Sequence, residues 1–268
     1  MIRIGTSGFS FKDWVGTVYP DGFNLKDALV YYQDKLGFDC VEINSTYYTL
    51  IPDRVAAGWA NKTAENFEFL VKAYRGVTHD PFDARLGPEK PGVEKAYEDI
   101  ERSVFSLQPL VKSKKLGAVL LQFPIFFVPG NESTDYMLEC RKRFKGIPLV
   151  VEFRNKGWAK PETFEFLKKN GLGYCAVDEP KLPRLMPFVN EVTSDVGYLR
   201  FHGRNNNWFN APMEVRYDYL YSEDELKEFV PEIKKMEKNS KNLYILFNNC
   251  HAGKAVKDAK KLKTMLGL

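Results

Sequence analysis

The fold is decided by short stretches such as Leu149-Val150-Val151-Glu152-Phe153-Arg154. Successive side chains of a β-strand point to opposite faces, so this stretch predicts a strand with one apolar face. The other face carries Glu152 and Arg154 near the C-terminal end of the strand. A second stretch, Tyr198-Leu199-Arg200-Phe201-His202-Gly203-Arg204, repeats the pattern. Both predict strands that are apolar on the outside and charged on the inside, at one end.

Six further runs extend this pattern along the chain. The eight predicted strands are residues 2–6, 39–44, 67–74, 118–123, 149–154, 173–178, 197–202 and 243–249. Segments with helical periodicity separate most of them, namely residues 25–36, 94–112, 134–144, 161–170, a helix opening at 222, and 254–266. Strands that alternate with helices predict parallel pairing. The α/β pattern is therefore typical of a (β/α)8 TIM barrel, with its active site at the C-terminal ends of the strands.

Three local features refine the predicted helices. Ser222 and Glu225 have the spacing of a capping box, which marks a helix N-terminus. Pro231 is expected to kink or divide the helix that follows. The proline-rich segment 179–191 is predicted to hold little helix.

An open, doubly wound sheet is the rival fold. Such a sheet buries both faces of its strands, which gives nearly continuous apolar runs. Here charges recur within the runs, and no GxGxxG motif supports a dinucleotide-binding unit. The 268 residues are close to the roughly 250 of one such barrel, so a single TIM-barrel domain over residues 1–268 is predicted.

Composition indicates an ordinary globular protein. The hydrophobic fraction is 44% and the formal net charge is +4, which permits anionic partners without requiring them. The four cysteines form no CxxC pair, so reduced thiols are expected. A strand is predicted from residue 2, without a signal peptide, and no apolar run approaches the ~18 residues of a membrane span. A cytoplasmic location without a membrane partner is predicted.

The inward faces of the strands define the candidate site. Charges inside a barrel are costly unless they are paired, so many ionisable groups converging at the catalytic end favour a functional site over a purely structural ion network. Glu42, Asn44, Gln122 and Arg200 are predicted to contact the substrate. The full inward set is Thr6, Cys40, Glu42, Asn44, Leu70, Lys72, Tyr74, Leu120, Gln122, Val150, Glu152, Arg154, Ala176, Asp178, Arg200, His202, Arg204, Leu246 and Asn248.

Three carboxylates in this set could divide acid and base roles. Glu42, Glu152 and Asp178 come from the second, fifth and sixth strands. Two carboxylates near one substrate act as acid and base if their environments differ. Glu42 and Asp178 with His202 also supply oxygen and nitrogen ligands, so a divalent metal is a candidate cofactor at these three residues. A histidine at a strand end that only donates or accepts hydrogen bonds is the simpler alternative.

Lys72 and the last two strand ends suggest contacts with an anion. A desolvated lysine can form a Schiff base, whereas a lysine beside carboxylates stays protonated and binds an anion. In many barrels the loops after strands seven and eight bind phosphate with backbone N–H groups and a helix N-terminus. The candidate phosphate-binding residues are Arg204, Asn248, Asn249, Gly253 and Lys254.

Aromatic residues follow several of the strands. Trp14, Tyr47, Tyr48 and Trp208 could stack on a base or a sugar, or pack the loops over the barrel mouth. Lysine-rich stretches on the predicted helices are interpreted as solvated faces, which leaves nucleic acid as an alternative partner.

Several motifs occur in a fixed order along nearly the whole chain. They are Gly5-Thr6-Ser7-Gly8, Val41-Glu42-Ile43-Asn44, Lys72-Ala73, Leu121-Gln122-Phe123-Pro124, Val151-Glu152-Phe153-Arg154, Arg200-Phe201-His202-Gly203-Arg204 and Phe247-Asn248-Asn249. In these motifs the chain resembles the YecE-like family of bacterial and archaeal TIM-barrel proteins. The resemblance implies the barrel and the importance of these polar residues. It implies no reaction, because that family has no agreed activity and a fold does not determine function.

The leading functional hypothesis is a hydrolase or lyase acting on a small anionic, phosphate-bearing substrate such as a sugar phosphate, a nucleotide or a nucleic-acid end. Glu152 or Asp178 would act as general base, and Lys72, Arg154 and His202 would complete the catalytic set. The alternatives are a sugar-phosphate isomerase or aldolase, a nucleic-acid-binding module, and a small-molecule receptor without catalysis. The sequence predicts no oligomeric state.

Overall fold

Eight parallel strands form one sheet in the computed structural model, which describes residues 1–209 and 211–268. Hydrogen-bonded neighbours follow the order β1-β8-β7-β6-β5-β4-β3-β2, so β1 and β2 are the two edges of the sheet. The sheet curls until these two edges lie side by side. The prediction of an eight-stranded parallel barrel is therefore confirmed. The strands are β1 Ile2–Thr6, β2 Cys40–Ile43, β3 Glu68–Lys72, β4 Leu116–Gln122, β5 Leu149–Glu152, β6 Gly173–Asp178, β7 Val196–Phe201 and β8 Asn242–Phe247.

At the seam between β1 and β2, a side chain bridges the two strands. No backbone ladder joins these two strands within residues 1–209 and 211–268. The buried hydroxyl of Tyr32 instead accepts from the Thr6 backbone N–H at 2.9 Å and donates to the Cys40 carbonyl at 3.2 Å. Gly5 permits the close approach, since a Cβ there would lie 2.3 Å from the Cys40 oxygen. The barrel is thus nearly closed.

Helices surround the barrel and mostly follow the sequence periodicity. They are α1 Ala28–Asp34, α2 Asp53–Lys62, α3 Arg75–Thr78, α4 Val93–Ser106, α5 Gln108–Lys112, α6 Asn131–Arg143, α7 Pro161–Lys169, α8 Met213–Arg216, α9 Glu223–Lys238 and α10 Lys254–Leu266.

Three local predictions about these helices can be compared with the structure. The capping box of Ser222 and Glu225 is present at the start of α9, and no helix is assigned within 179–191, as predicted. The single helix predicted over 94–112 is instead two, because Pro109 lies at the start of a new helix. The prediction that Pro231 divides the helix is wrong, since α9 continues through this residue.

The predicted inward face of β6 is wrong by one residue. Parallel neighbours in register share a face, and Cys175 pairs with Tyr198 whereas Asp178 pairs with Phe201. Tyr198 donates to Glu42 inside the barrel at 2.7 Å, while Phe201 stacks on Phe247 and contacts the Phe229 ring of α9. Asp178 therefore faces the helices. β6 is buried on both faces, so its apolar run carried no information about which face points inward.

The inward assignment of Thr6 is wrong for the same reason. Thr6 pairs in register with the outward Phe247, and its side-chain hydroxyl lies 3.0 Å from that of Tyr32 in α1. The inward residues of β1 are Arg3 and Gly5, which pair with Tyr244 and Leu246.

Across residues 1–209 and 211–268, no helix combines the length and the hydropathy that crossing a membrane requires.

Candidate functional site

A chain of buried ion pairs crosses the barrel interior. The Arg200 guanidinium donates to Glu42 at 2.6 Å and to Glu152 at 2.6 Å, so it bridges strands β2, β5 and β7. All three side chains are at most 1% exposed. Such charges are tolerated in an interior only when they are paired and hydrogen-bonded. The side chains nearer the C-terminal ends of the strands, Arg154 and His202, pack against this ion-paired group.

Arg154 forms the next level toward the C-terminal ends of the strands. Its guanidinium lies 2.7 Å from Glu152 and donates to Glu179 at 2.5 Å. Burial alone would raise the pKa of Glu152, but Arg154 and Arg200 outweigh it and hold that pKa well below its usual range. Glu152 therefore stays a carboxylate that two arginines hold in place.

Glu179 is a site residue that the sequence interpretation missed. Burial, which the Arg154 charge offsets only in part, raises the pKa of this carboxyl to about 7. Its second oxygen accepts from the Met186 backbone N–H at 3.1 Å, which ties the segment after β6 to the barrel. Continuing the correct alternation of β6 from Cys175 through Val177 would have identified Glu179.

His202 joins the ion pairs to a pair of amides. Its Nε2 lies 3.1 Å from Arg154 and 3.4 Å from Glu152, and its Nδ1 lies 3.0 Å from the Asn248 amide. Asn248 in turn accepts from the Asn44 amide at 3.4 Å. Burial, reinforced by the Arg154 charge, lowers the pKa of His202 well below its usual range. The imidazole is therefore neutral at pH 7.

Lys72 contrasts with the paired arginines around it. Its Nζ lies 4.3 Å from the centre of the Tyr47 ring, and in the described ranges it makes no hydrogen bond or ion pair. Burial, together with the Arg200 charge, lowers the pKa of this amine to about 7 despite the opposing charge of Glu152. Lys72 thus exists at neutral pH as a mixture of ammonium and free amine.

His79 lies against the same Tyr47 ring and is a second residue that the predicted site lacks. Its ring contacts Tyr47 edge to face, with ring centres 4.9 Å apart, and its Nδ1 lies 2.9 Å from the Thr78 hydroxyl. Burial and the nearby Lys72 charge lower its pKa to about 3. The sequence feature that indicates His79 as a site residue is its place in the pair Thr78-His79, shortly after the C-terminal end of β3.

Gln122 and Trp208 lie where they were predicted. Gln122 pairs in register with Glu152 and so faces the interior. The Trp208 ring centre lies 5.7 Å from the Arg154 guanidinium and 6.2 Å from the His202 ring. Trp208 therefore packs over the upper groups of the site.

The predicted phosphate-binding residues do not converge on the mouth. Arg204 binds the outward-facing Asp178 at 3.0 Å and Glu225 of α9 at 3.3 Å. Lys254 is paired with Asp218. These cations are neutralised by carboxylates of the protein itself, so only Asn248 of the predicted set reaches the interior.

The remaining corrections concern buried structural positions. Asn249 is fully buried and donates to Asp258 at 2.8 Å. Gly253 has a φ of 74°, and a Cβ there would lie 2.3 Å from Val18, so its role is conformational. Trp14 is fully buried and donates to a backbone carbonyl at 2.7 Å, so it is no stacking surface for a ligand.

The predicted metal ligands are also separated. Asp178 lies on the outer face, whereas Glu42 and His202 lie inside. In the described part of the chain, no three His, Cys, Asp or Glu side chains are arranged to hold a metal ion. The residues present therefore do not fit the metal site that the sequence suggested.

Comparisons with known proteins extend the match over the whole barrel. The family described as "Protein of unknown function DUF72" matches residues 3–268. The UPF0759 protein YunF of Bacillus subtilis is 32% identical, over 100% of this chain and 95% of its own length. These matches give the family the names DUF72 and UPF0759, and the name YecE-like stays a prediction.

Solved structures with the same architecture include close and distant examples. A DUF72 family protein from Thermotoga maritima is 40% identical with a TM-score of 0.90 and full coverage of both chains. Another from Enterococcus faecalis is 30% identical with a TM-score of 0.85, covering 100% of this chain and 96% of its own. A D-psicose 3-epimerase from Clostridium cellulolyticum, 12% identical with a TM-score of 0.52 and coverages of 99% and 97%, shares the fold alone.

Proposed function

The chain belongs to the DUF72 family, and from that premise we propose that it is an enzyme that uses Lys72 on small carbonyl compounds. The proposed reaction class is that of a lyase or isomerase, such as aldol cleavage or isomerisation. The observation that carries the proposal is the Lys72 amine, which has no ion-pair partner in residues 1–209 and 211–268 and a pKa of about 7. A partly deprotonated lysine in a buried site is a carbonyl nucleophile.

The proposed first step is Schiff-base formation. The Nζ lone pair adds to the carbonyl carbon, and the carbonyl oxygen leaves as water after taking one proton from Nζ and one from an acid at the mouth. The product is an iminium ion on Lys72, which withdraws electrons from the adjoining carbon–carbon and carbon–hydrogen bonds. Tyr47, whose ring lies beside the amine, and His79, which contacts that ring edge to face, would line the substrate position.

The hydrolase form of the hypothesis has less support. Glu152 would need to accept a proton, yet it is fully buried and both of its oxygens face arginines. A carboxylate with a lowered pKa is a weak general base. The phosphate group of the substrate and the nucleic-acid partner remain predictions, as does the cytoplasmic location.

Borohydride trapping tests the proposed function. The protein is incubated at pH 7.5 with dihydroxyacetone, dihydroxyacetone phosphate, glyceraldehyde or pyruvate, reduced with sodium borohydride, and digested for mass spectrometry. We expect a stable adduct on the peptide that contains Lys72, because reduction makes the Schiff base permanent. Lys254, paired with Asp218, serves as the control lysine within the same sample.

The Lys72→Met variant, which keeps side-chain length without an amine, should show no adduct. An adduct on Lys254 equal to that on Lys72, or no adduct from any of these compounds, would contradict the proposal.

A further inference from the structure

Among the buried side-chain atoms that lack a hydrogen-bond partner in residues 1–209 and 211–268, two lie at the ends of β1 and β2. The Ser7 hydroxyl and the Asn44 side-chain oxygen are buried, and neither makes a hydrogen bond within the described residues. Ser7 is 2% exposed as a residue. A buried polar atom without a partner costs about 1–3 kcal/mol, so such atoms are normally satisfied by protein, by water or by a ligand.

The two atoms and the neighbouring Asn248 side chain lie at the ends of three neighbouring strands. Ser7, Asn44 and Asn248 each follow the last residue of β1, β2 or β8. The Asn44 amide lies 3.5 Å from the Ser7 carbonyl oxygen and 3.4 Å from the Asn248 oxygen, so its N–H groups point at those two acceptors. The Asn44 oxygen is then left as an acceptor, beside a hydroxyl that can donate and accept.

Lys72 lies beside this group on the next strand. Glu42 pairs in register with Leu70, and Asn44 and Lys72 are each two residues further along their strands. Both therefore lie one level higher on the inner face, on strands about 4.8 Å apart. The amine and the two unpartnered atoms therefore belong to the ends of three successive strands of the barrel, β1, β2 and β3.

We propose that Ser7 and Asn44, with Asn248 beside them, bind a hydroxyl group, and that the substrate of Lys72 is a polyhydroxylated carbonyl compound. The Asn44 oxygen requires a donor, and the Ser7 hydroxyl accepts either role. A hydroxyl group satisfies both atoms without adding charge. An ammonium group is disfavoured here because Lys72 and Arg154 already supply positive charge. The substrate assignment rests on the proposed function, whereas the hydroxyl subsite can be tested without it.

Polyols test the subsite because they carry hydroxyl groups and no carbonyl. Erythritol, ribitol and sorbitol are titrated into the protein by isothermal titration calorimetry. We expect at least one to bind, and Ser7→Ala or Asn44→Ala to weaken it at least about tenfold, as the loss of a buried hydrogen bond does. Lys72→Met should still bind it. The matched controls are Ser10→Ala and Asn61→Ala, at exposed positions.

Unfolding separates binding from a structural role. Because the Ser7 hydroxyl has no hydrogen-bond partner in the described part of the chain, Ser7→Ala should leave the free energy of unfolding unchanged or raise it. Lost polyol affinity with intact stability therefore supports the subsite. Failure of all three polyols to bind, or unchanged affinity in both Ser7→Ala and Asn44→Ala, overturns it.

The substrate class is tested by trapping on Lys72 with erythrulose and with butanone, which lacks the hydroxyl groups. We expect erythrulose to label wild type at least about tenfold more efficiently than butanone, and this preference to disappear in Ser7→Ala. Equal labelling of wild type by both ketones overturns the substrate class. Polyol binding without any trapped ketone would refute the Schiff-base function and leave the subsite standing.

Discussion

Arg200 is the residue on which the interior charges depend. It is 1% exposed and lies between two carboxylates that are themselves fully buried, Glu42 and Glu152. Removing the arginine would leave two unpaired negative charges in a medium that solvates them poorly. Lys72 and Glu179 differ, because burial holds each close to its titration point at neutral pH rather than far from it. The interior thus combines fixed charges with two adjustable ones.

Arg200→Met tests the fixed charges. We expect it to lower the free energy of unfolding by about 3–5 kcal/mol, the cost of breaking a buried ion pair from one side. Urea denaturation followed by circular dichroism measures the change. Arg102→Met is the control, because Arg102 pairs with Asp99 from a side chain that is 63% exposed, and its loss should cost less than about 1 kcal/mol. Equal effects for the two variants would contradict the role given to Arg200.

At the scale of the element, the sequence predicts which side chains face the barrel interior for some strands and not for others. In the stretches 149–154 and 198–204, polar and charged residues alternate with apolar ones, so the sequence predicts the inner face of Glu152 and Arg200 correctly. β6 has apolar residues on both faces, so its alternation is ambiguous. The sequence therefore predicts Asp178 on the inner face, whereas Glu179 lies there. The pairing of Arg204 with Asp178 links separate elements, and no local spacing indicates it.

The β1–β2 seam gives a prediction at this scale. Tyr32→Phe removes the hydroxyl that bonds to the Thr6 N–H and the Cys40 carbonyl, and leaves both backbone groups buried without it. We expect the free energy of unfolding to fall by about 1–3 kcal/mol. Faster hydrogen exchange at the Thr6 amide should accompany the loss.

Tyr31→Phe is the matched control for the seam. Tyr31 is the adjacent residue of α1, and its hydroxyl makes no hydrogen bond within the described ranges. Its substitution should change stability by less than about 0.5 kcal/mol. A Tyr32→Phe protein as stable as this control would show that the hydroxyl does not hold the seam.

At the scale of the whole molecule, the two ends of the barrel serve different purposes. The N-terminal end is closed by Arg3, which binds Asp39 at 2.8 Å and Glu68 at 2.9 Å. The C-terminal end carries the groups whose pKa values are shifted toward neutrality, Lys72 and Glu179. Stability measured as a function of pH therefore reports on the site end.

Lys72 and Glu179 make opposite contributions to the pH dependence of unfolding. Glu179 has a raised pKa, so the folded protein holds more protons between pH 4.5 and about 7, and this contribution is lost as the pH rises through that window. Lys72 has a lowered pKa, so the unfolded chain holds more protons between about pH 7 and 10.5, and stability rises with pH there. Taken by themselves, these two contributions have a minimum near pH 7, whereas His79 and His202, whose pKa values are lowered, make stability rise with pH up to about 6.5.

Difference curves isolate each group. The free energy of unfolding is measured in urea from pH 4.5 to 10 for wild type, Glu179→Gln and Lys72→Met. Wild type minus Glu179→Gln should fall with pH below about 7, and wild type minus Lys72→Met should rise above it, each by at most about 1.4 kcal/mol per pH unit. A flat difference curve for either variant would contradict the shift assigned to that residue.

The seam also has a consequence for the order of assembly. Since no ladder joins β1 to β2 within the described residues, the backbone partner of β1 is β8, and Ile2 pairs with Leu243, which is distant in sequence. Strands β2 to β8 can each pair with a sequence neighbour as synthesis proceeds, whereas β1 must wait for β8. Contacts this distant in sequence form slowly because a long loop must close first. The N-terminal strand is therefore expected to dock at the end of folding and to complete the mouth, with Ser7, only then.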